Sequence, residues 1–310
     1  MKSLSRIFCA VALVCCICAT ANASSIGKLT AKIVDENGAS IQGASVYLSF
    51  SAAKQGDGGG LTSSGKEGLS DKDGLFSGSE FTLPYVGVVA DKDGYYRSIQ
   101  KYEFKSSTLL LNRWEPWNPT IEVVLKKKRN PVPIVVNGGI IKLPNLDSPV
   151  GYDLVKGDWV APYGTGATSD FIFTFHAVSR AYTDYECSFT LTFSNEDDGI
   201  QEYYFDEKNQ SSYRWPFMAP EFGYLPKLYR EKSDSPQNNF KSTEKERASY
   251  IYRVRTQKDK DGNIVAAMYG KISKEFEFGP NGTILFGYDL NHDGTRNLEE
   301  DPNKNLFKKK

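Results

Sequence analysis

The feature that most limits how this chain can fold is the period of its apolar segments. Beyond residue 23 these segments are short, alternate between apolar and polar residues, and are rich in Val, Ile, Phe, Tyr and Thr. Gly, Asn, Asp and Pro interrupt them at close intervals, and no segment sustains the period of an amphipathic helix. A period of two is typical of strands that bury one face. The sequence therefore predicts an all-β protein.

Individual segments make this prediction specific. In ECSFTLTF, residues 186–193, the apolar face carries Cys187, Phe189 and Leu191, and we expect Cys187 to be a small buried apolar residue. The segments YIYRVRT (250–256) and NIVAAMYGKI (263–272) flank an Asp-Gly pair, which favours a tight hairpin because Gly adopts positive φ. The tetrapeptide DKDG occurs at 71–74, 91–94 and 259–262, and we interpret it as a turn closed by side-chain-to-backbone hydrogen bonds.

Residues 1–23 have the pattern of a secretory signal peptide. Two basic residues precede an apolar run at 7–19, and Ala21-Asn22-Ala23 fits a cleavage site. The run is shorter than the roughly 18 residues that a membrane-spanning helix needs, and no other segment comes close. We expect a secreted or periplasmic protein that does not span a membrane. Four of the five cysteines lie in this segment, so Cys187 would be alone after cleavage, and an intrachain disulfide is excluded.

The charge balance argues against a nucleic-acid partner. The chain has 38 Lys and Arg residues and 38 Asp and Glu residues, so it lacks the cationic surplus that phosphate binding requires. Residues 24–310 are long enough for two domains of ordinary size. Without disulfides, each domain must be held together by a hydrophobic core.

The first half resembles a known family at three separate motifs. These are Gly38 with Ile41, Val46 and Leu48, then DKDGLF at 71–76, and then KDGYY at 92–96. Over residues 27–128 the chain is similar to the carboxypeptidase regulatory-like family, whose fold is a transthyretin-like β-sandwich. The resemblance implies a non-catalytic module that is appended to enzymes, receptors or surface proteins.

A Pro-punctuated joint at 129–133 predicts the boundary between the two domains. We predict a signal peptide at 1–23, a carboxypeptidase regulatory-like β-sandwich at 24–130, and a second β-sandwich or open barrel at 131–310. The second half, through GYDLVKGDWVAP (151–162) and FSNEDDGI (193–200), resembles an uncharacterised family of secreted bacterial proteins, which implies no activity. The predicted fold class is all-β, with two β-sandwich domains in tandem.

The stretch YDLNHDGTRNLEED, residues 288–301, has the ligand spacing of a calcium loop. With Gly294 at the sharp turn, the candidate ligands are Asp289, Asn291, Asp293, the peptide oxygen of Thr295, Asn297 and Glu300. The residues before the loop read as a strand, and Pro302 disfavours a helix after it, so a helix-loop-helix unit is not expected. An ordinary acidic turn is the other interpretation. Apart from this candidate Ca²⁺, the sequence predicts no cofactor.

Aromatic residues supply the candidate ligand-binding site. The segment YRWPFMAPEFGYLP, residues 213–226, combines aromatic side chains with three prolines, and its alternative role is a lid folded over the core. With two aromatic residues near 160, the candidates for binding a carbohydrate or a protein partner are Trp159, Tyr163, Tyr213, Trp215, Phe217, Phe222 and Tyr224.

Two functions follow from these candidates. The favoured one is a secreted, non-enzymatic binding or cell-envelope interaction protein. The alternative is an exported hydrolase resembling a glycosidase, which needs two carboxylates about 5 to 10 Å apart in a cleft. Its candidate acids are Asp153, Asp158, Glu196, Asp197 and Asp198. We expect two of them to meet in a pocket beside Trp159 or Trp215 if the protein is a hydrolase.

Overall fold

A computed structural model describes residues 24–53, 60–108, 110–207 and 210–307, and every regular element in them is a strand. The described residues form 24 strands in five sheets and contain no helix, so the all-β prediction is confirmed. Consequently, none of these residues belongs to a helix that could cross a bilayer. The predicted signal peptide lies outside the described residues.

The chain divides into two compact units, residues 1–126 and 127–310, and each contains packed sheets. The strands of the first unit are β1 (Ser25–Val34), β2 (Ser45–Ala53), β3 (Leu61–Leu69), β4 (Leu75–Thr82), β5 (Tyr85–Asp91), β6 (Tyr95–Tyr96), β7 (Ser98–Glu103), β8 (Ser106–Thr108), β9 (Arg113–Glu115) and β10 (Thr120–Val124). The short strand β11 (Lys126–Lys127) lies at the division.

Two sheets enclose the core of the first unit. One has the order β10-β1-β9-β8 with β4 also paired to β1, and the other has the order β3-β2-β5-β7. Strand β1 pairs in parallel with β10 and antiparallel with β4. Alternate residues of β1, β2 and β5 point into the core, which includes Leu29, Ala31, Ile33, Val46, Leu48, Phe50, Val86, Val88 and Ala90. The period of two in the sequence is therefore the period of burial.

Aspartate side chains close two of the three predicted turns, those at 71–74 and 259–262. At 91–94 the Asp91 carboxylate pairs with Arg97, and the Tyr95 N–H donates to the Lys92 carbonyl. The Asp71 carboxylate accepts hydrogen bonds from the backbone N–H groups of Asp73 and Leu75 at 2.9 and 2.8 Å, and Gly74 has a φ of 79°. Asp259 accepts bonds from the N–H groups of Asp261 and Asn263 in the same way, at 2.9 Å each. Asp71 and Asp259 therefore organise the backbone of their turns.

The second unit contains the remaining strands. These are β12 (Val132–Lys142), β13 (Val150–Asp153), β14 (Asp158–Trp159), β15 (Phe171–Ala181), β16 (Asp184–Thr192), β17 (Gly199–Tyr203), β18 (Lys227–Ser235), β19 (Asn238–Ser242), β20 (Ser249–Lys258), β21 (Ile264–Ile272), β22 (Glu277–Gly279), β23 (Thr283–Asn291) and β24 (Glu300–Asn305). The predicted hairpin at 250–272 is present as β20 and β21.

These strands form the two layers of a second β-sandwich. One sheet has the order β17-β20-β21-β23-β12-β24, with β22 also paired to β23, and the other has the order β14-β13-β15-β16-β18-β19. The core between them is rich in aromatic residues, among them Phe171, Phe173, Phe175, Phe189, Tyr250, Tyr252, Phe276 and Phe286. Tandem β-sandwiches are thus the architecture of this chain.

Cys187 lies on the apolar face of β16 with 2% of its surface exposed, and burial raises the pKa of its thiol to about 11. Because the thiolate is the reactive form, we expect the native protein at pH 8 to react with a thiol reagent much more slowly than the same protein unfolded in guanidinium. Residues 24–310 contain a single cysteine, so a colorimetric thiol assay reports this site alone. Equal rates in the folded and unfolded protein would contradict the burial of Cys187.

Candidate functional site

The aromatic segment 213–226 divides into a buried part and an exposed part. Tyr213 and Trp215 are only 2% and 6% exposed, and the ring of Trp215 packs against Tyr203 and Phe205 with centroids 5.2 and 4.7 Å away. Phe222, in contrast, is 82% exposed. We call the buried first part, residues 213–217, the lid because its rings pack against neighbouring residues, whereas the second part reaches solvent.

The remaining aromatic candidates also differ in exposure. Trp159 is 9% exposed and makes edge-to-face contacts with Tyr152 and Phe173, so it belongs to the core of the second unit. Tyr163 is exposed, and its hydroxyl accepts a hydrogen bond from Asn145 at 3.3 Å. Phe217 and Tyr224 are half-buried. The seven residues are not assembled into one surface, and their role in binding stays a prediction.

A buried lysine lies beneath the lid. Lys271 of β21 is 1% exposed, and its ammonium group is 5.2 Å from the ring centroid of Tyr213 and 5.7 Å from that of Trp215. Such aromatic faces stabilise a cation. The Nζ atom also donates to the Leu298 carbonyl at 3.0 Å, forms an ion pair with Glu300, and lies 3.5 Å from Asp289. The lid thus covers an internal cation.

Lys271 also contacts two candidate ligands of the predicted calcium loop. Asp289 and Glu300, the first and last candidate ligands, both face the Lys271 ammonium group. Burial raises the pKa of Asp289, and Lys271 opposes this effect. Two half-buried carboxylates that lie this close together are stabilised by a cation between them. In this structure the protein supplies that cation from its own chain.

The interior of the loop is filled by an amide. The side-chain N–H groups of Asn291 donate to the carboxylate of Asp293 at 2.9 Å and to the carbonyl of Asn297 at 3.0 Å. The side chain of Asn297 bonds to the carbonyl of Asn130 and the N–H of Glu299. The chain runs through the motif from β23 to β24, with Gly294 at a φ of 88° and Thr295 bonded to Asp293. The described residues contain no group of three His, Cys, Asp or Glu side chains placed to hold a metal.

Calcium binding at residues 289–300 stays a prediction, and Lys271 makes it testable. Because Ca²⁺ must compete with an ammonium group already held by two carboxylates, we expect the wild-type protein to bind Ca²⁺ weakly and Lys271→Met to bind it at least about tenfold more tightly. Isothermal titration with CaCl₂ measures both affinities. Lys258→Met removes an equal charge from a partly exposed lysine and is the matched control. Equally tight binding by the wild type and K271M would show that Lys271 is no competitor.

Three of the five candidate catalytic acids, Asp153, Asp158 and Asp198, bind backbone N–H groups. One oxygen of the Asp153 carboxylate accepts bonds from the N–H groups of Val155 and Lys156, and the other from those of Ala167 and Thr168, at 2.9 to 3.1 Å. Asp158 binds the N–H and hydroxyl groups of Thr165 at 2.8 and 2.7 Å, and Asp198 binds the N–H groups of Arg255 and Thr256 at 2.9 Å each. Glu196 is exposed, and Asp197 pairs with Lys258.

Asp153 and Asp170 converge inside the protein around the side chain of Arg255, and they do not meet in an open cleft. Arg255, with a positive φ of 56°, donates to Asp170 at 2.7 and 2.8 Å and to Asp153 at 3.0 Å. Burial raises the pKa of Asp170, although Arg255 opposes this effect. For Asp153, burial would also raise the pKa, but hydrogen bonds from the N–H groups of Ala167, Lys156 and Thr168 outweigh it, and the pKa of Asp153 is lowered. This arrangement is a structural ion cluster. Asp158 and Asp197 each line a surface recess, and neither recess contains a second one of the five candidate catalytic acids.

A recess in the second unit brings together residues from four segments, and we call it the β21 groove. It has a volume of about 630 Å³ and is lined by Phe222 and Tyr224 of the aromatic segment, Arg253 of β20, residues 264–267 of β21, and Gly294 and Arg296 of the predicted calcium loop. The loop and the aromatic segment are joined by a bond from the Ala219 N–H to the Arg296 carbonyl at 2.7 Å and by an ion pair between Arg296 and Glu221.

The cations of the β21 groove have acceptors within the protein. Arg253 stacks on the Tyr224 ring at 4.7 Å and donates to the carbonyls of Asp197 and Glu221. Sequence reasoning did not select Arg253, Arg255 or Lys271 as site residues. The available signal was a cation at an alternating position inside an otherwise apolar strand, as in YIYRVRT and YGKI. A charge in that pattern is buried only when it is paired.

Comparisons with known proteins do not assign a family. No family model matches the chain, and no curated protein matches it. A variant of the shaft pilin SpaA from Lactobacillus rhamnosus GG matches with 10% identity and a TM-score of 0.20, over 90% of this chain and 98% of the pilin. A putative membrane-associated protein of unknown function from Bacteroides fragilis matches with 10% identity and a TM-score of 0.19, over 86% of this chain and 95% of that one. Similarity at this level supports no inference about the present chain.

The Arg255 cluster yields a stability prediction. Arg255→Met would leave Asp153 and Asp170, which are 3% and 0% exposed, without their cation, so we expect a loss of about 3 to 5 kcal/mol in the free energy of unfolding. Urea unfolding followed by tryptophan fluorescence measures it. Arg180→Met removes an arginine that is 53% exposed and paired with Asp184 and Glu186, and should cost less than about 1 kcal/mol. Similar losses in both variants would refute a structural role for the cluster.

Proposed function

We propose that this protein is an extracellular or cell-envelope binding module, and that its second unit takes a ligand in the β21 groove. Support comes from one observation above all: Phe222, with 82% of its surface exposed, lies at a recess of about 630 Å³ that also contains the half-buried Tyr224 and the stacked Arg253. Exposed aromatic residues beside a recess are typical of sites that bind a sugar face or an apolar patch of a protein.

A rigid framework for the groove also supports the proposal. The aromatic segment is anchored by the buried Tyr213 and Trp215 below and by backbone bonds to Arg296 and Leu298 at its side. Tyr224 donates its hydroxyl proton to the Pro220 carbonyl at 2.9 Å, which limits its motion. A preorganised site loses less conformational entropy when it binds.

Secretion is part of the proposal. The charge distribution and spacing of residues 1–23 are those of a secretory signal, and the absence of cysteine pairs in residues 24–310 leaves folding independent of the redox state of the compartment. Hydrolysis has less support, because four of the five candidate acids are engaged with backbone N–H groups or with arginine and lysine side chains.

The proposal predicts which aromatic residue matters. A glycan and peptide array probed with the purified protein, residues 24–310, should identify a ligand in the presence or absence of calcium. Phe222→Ala should then weaken its binding by about tenfold, or about 1.4 kcal/mol, because the exposed ring contacts the ligand. Phe240→Ala, at a phenylalanine that is 55% exposed on β19, is the matched control and should change the affinity less than about twofold. Equal effects of the two substitutions would place the binding site elsewhere.

A further inference from the structure

We propose that the ligand of the β21 groove is an extended polypeptide segment that adds to the sheet along β21. This inference rests on the proposed function, because it specifies the partner for the same groove. The edge in question consists of residues 264–268, which we call the open edge. The argument depends on strand pairing, on exposed apolar side chains, and on the charges of the groove.

Strand pairing leaves the open edge without a neighbour on one side. Strand β20 pairs with β21 from Lys258↔Ile264 to Tyr250↔Ile272. On the other side, β23 pairs only with Tyr269 to Ile272, because β23 ends at Asn291, opposite Tyr269. Within the part of the chain that the structure describes, no third strand pairs with residues 264–268. An unpaired strand edge offers a row of N–H and C=O groups to an incoming chain.

The opposite edge of the same hairpin, formed by β20, is covered by other parts of the protein. Strand β17 covers β20 as far as Arg253, and beyond it the buried Asp198 carboxylate accepts the N–H groups of Arg255 and Thr256 at 2.9 Å each. The carbonyl of Thr256 accepts a bond from the Asn195 side chain. The protein therefore caps the edge of β20 with its own side chains, whereas the open edge of β21 faces the groove.

Side chains along the open edge are apolar, and two of them, Ile264 and Val265, are exposed. Ile264 and Val265 expose 39% and 61% of their surfaces, and Phe222, which also lines the groove, exposes 82%. An exposed apolar edge is an aggregation site unless something covers it, and natural proteins protect such edges with charges, prolines or a partner. Strand β21 has neither a charge nor a proline between Ile264 and Gly270. A partner strand would cover this edge.

The charges of the groove indicate what kind of segment fits. Arg296 pairs with Glu221 and Lys258 pairs with Asp197, so these two charges are balanced. Arg253 already donates to two backbone carbonyls. An ionic ligand would have to break those contacts. A neutral segment with apolar residues at alternate positions would pair its backbone with the open edge and pack its side chains on Val265 and Phe222.

The test uses peptides as probes. A library of linear peptides of about eight residues, long enough to span the open edge at about 3.3 Å per residue, is selected on the protein with residues 24–310. The best binder is then resynthesised with a single N-methyl group at each position in turn. Since alternate N–H groups of an added strand face the sheet, we expect methylation to weaken binding about tenfold or more at every second position and much less between them. Hydrogen exchange of residues 264–268 should slow when the peptide binds.

The outcomes separate this inference from the proposed function. Peptide binding that depends on Phe222 but is indifferent to backbone methylation would leave the groove as a binding site and overturn strand addition. The same conclusion would follow from glycan binding without protection of residues 264–268. Failure of every peptide and glycan to bind would overturn both proposals. If exchange at residues 264–268 slows with rising protein concentration, and sedimentation shows a dimer, a second copy covers the edge and the peptide proposal is wrong.

Discussion

The second unit depends on one requirement, that backbone groups at the ends of buried strands find partners inside the protein. Carboxylates meet much of it. Asp153 accepts four backbone N–H groups, Asp198 accepts two, and the fully buried Glu299 accepts those of Arg129 and Asn130. An unpaired N–H group in the interior costs about as much as a lost hydrogen bond, so these acids stabilise the loops that join the strands. Each of these carboxylates also brings a negative charge into the protein, and other parts of the structure must balance that charge.

Balancing these charges explains the buried cations. Arg255 lies between Asp153 and Asp170, and Lys271 lies against Asp289 and Glu300. A desolvated carboxylate needs a nearby cation, and a side chain of the same protein provides it at a fixed position. The same reasoning joins two features that looked separate in the sequence. The lid residues Tyr213 and Trp215 cover the cation that occupies the position between the first and last ligands of the predicted calcium loop.

The open edge of β21 differs from the edge of β20 in the same hairpin, and this difference is the basis for assigning a role to the groove. Along β20, Asp198 and Asn195 form hydrogen bonds with backbone groups at the strand edge. Along β21, the backbone groups at the edge of residues 264–268 lie beside Phe222 in the groove. Four of the five candidate acids bind backbone N–H groups or cations, and the groove exposes Phe222, Ile264 and Val265 beside its paired charges. This division of roles favours recognition over catalysis.

The sequence by itself determined the local structure of this protein. Alternation predicted the strands around Phe175 and Phe189, the Asp-Gly pair predicted the β20–β21 hairpin, and DKDG predicted the aspartate-closed turns at 71–74 and 259–262, because each depends on residues only a few positions apart. Only the tertiary structure decided which acid meets which cation. Arg255 and Asp153 are separated by 102 residues, and Lys271 opposes Asp289 only through the register of β21 and β23. Register and strand order arise from packing between distant segments, and a change of one residue would turn every such side chain to the other face.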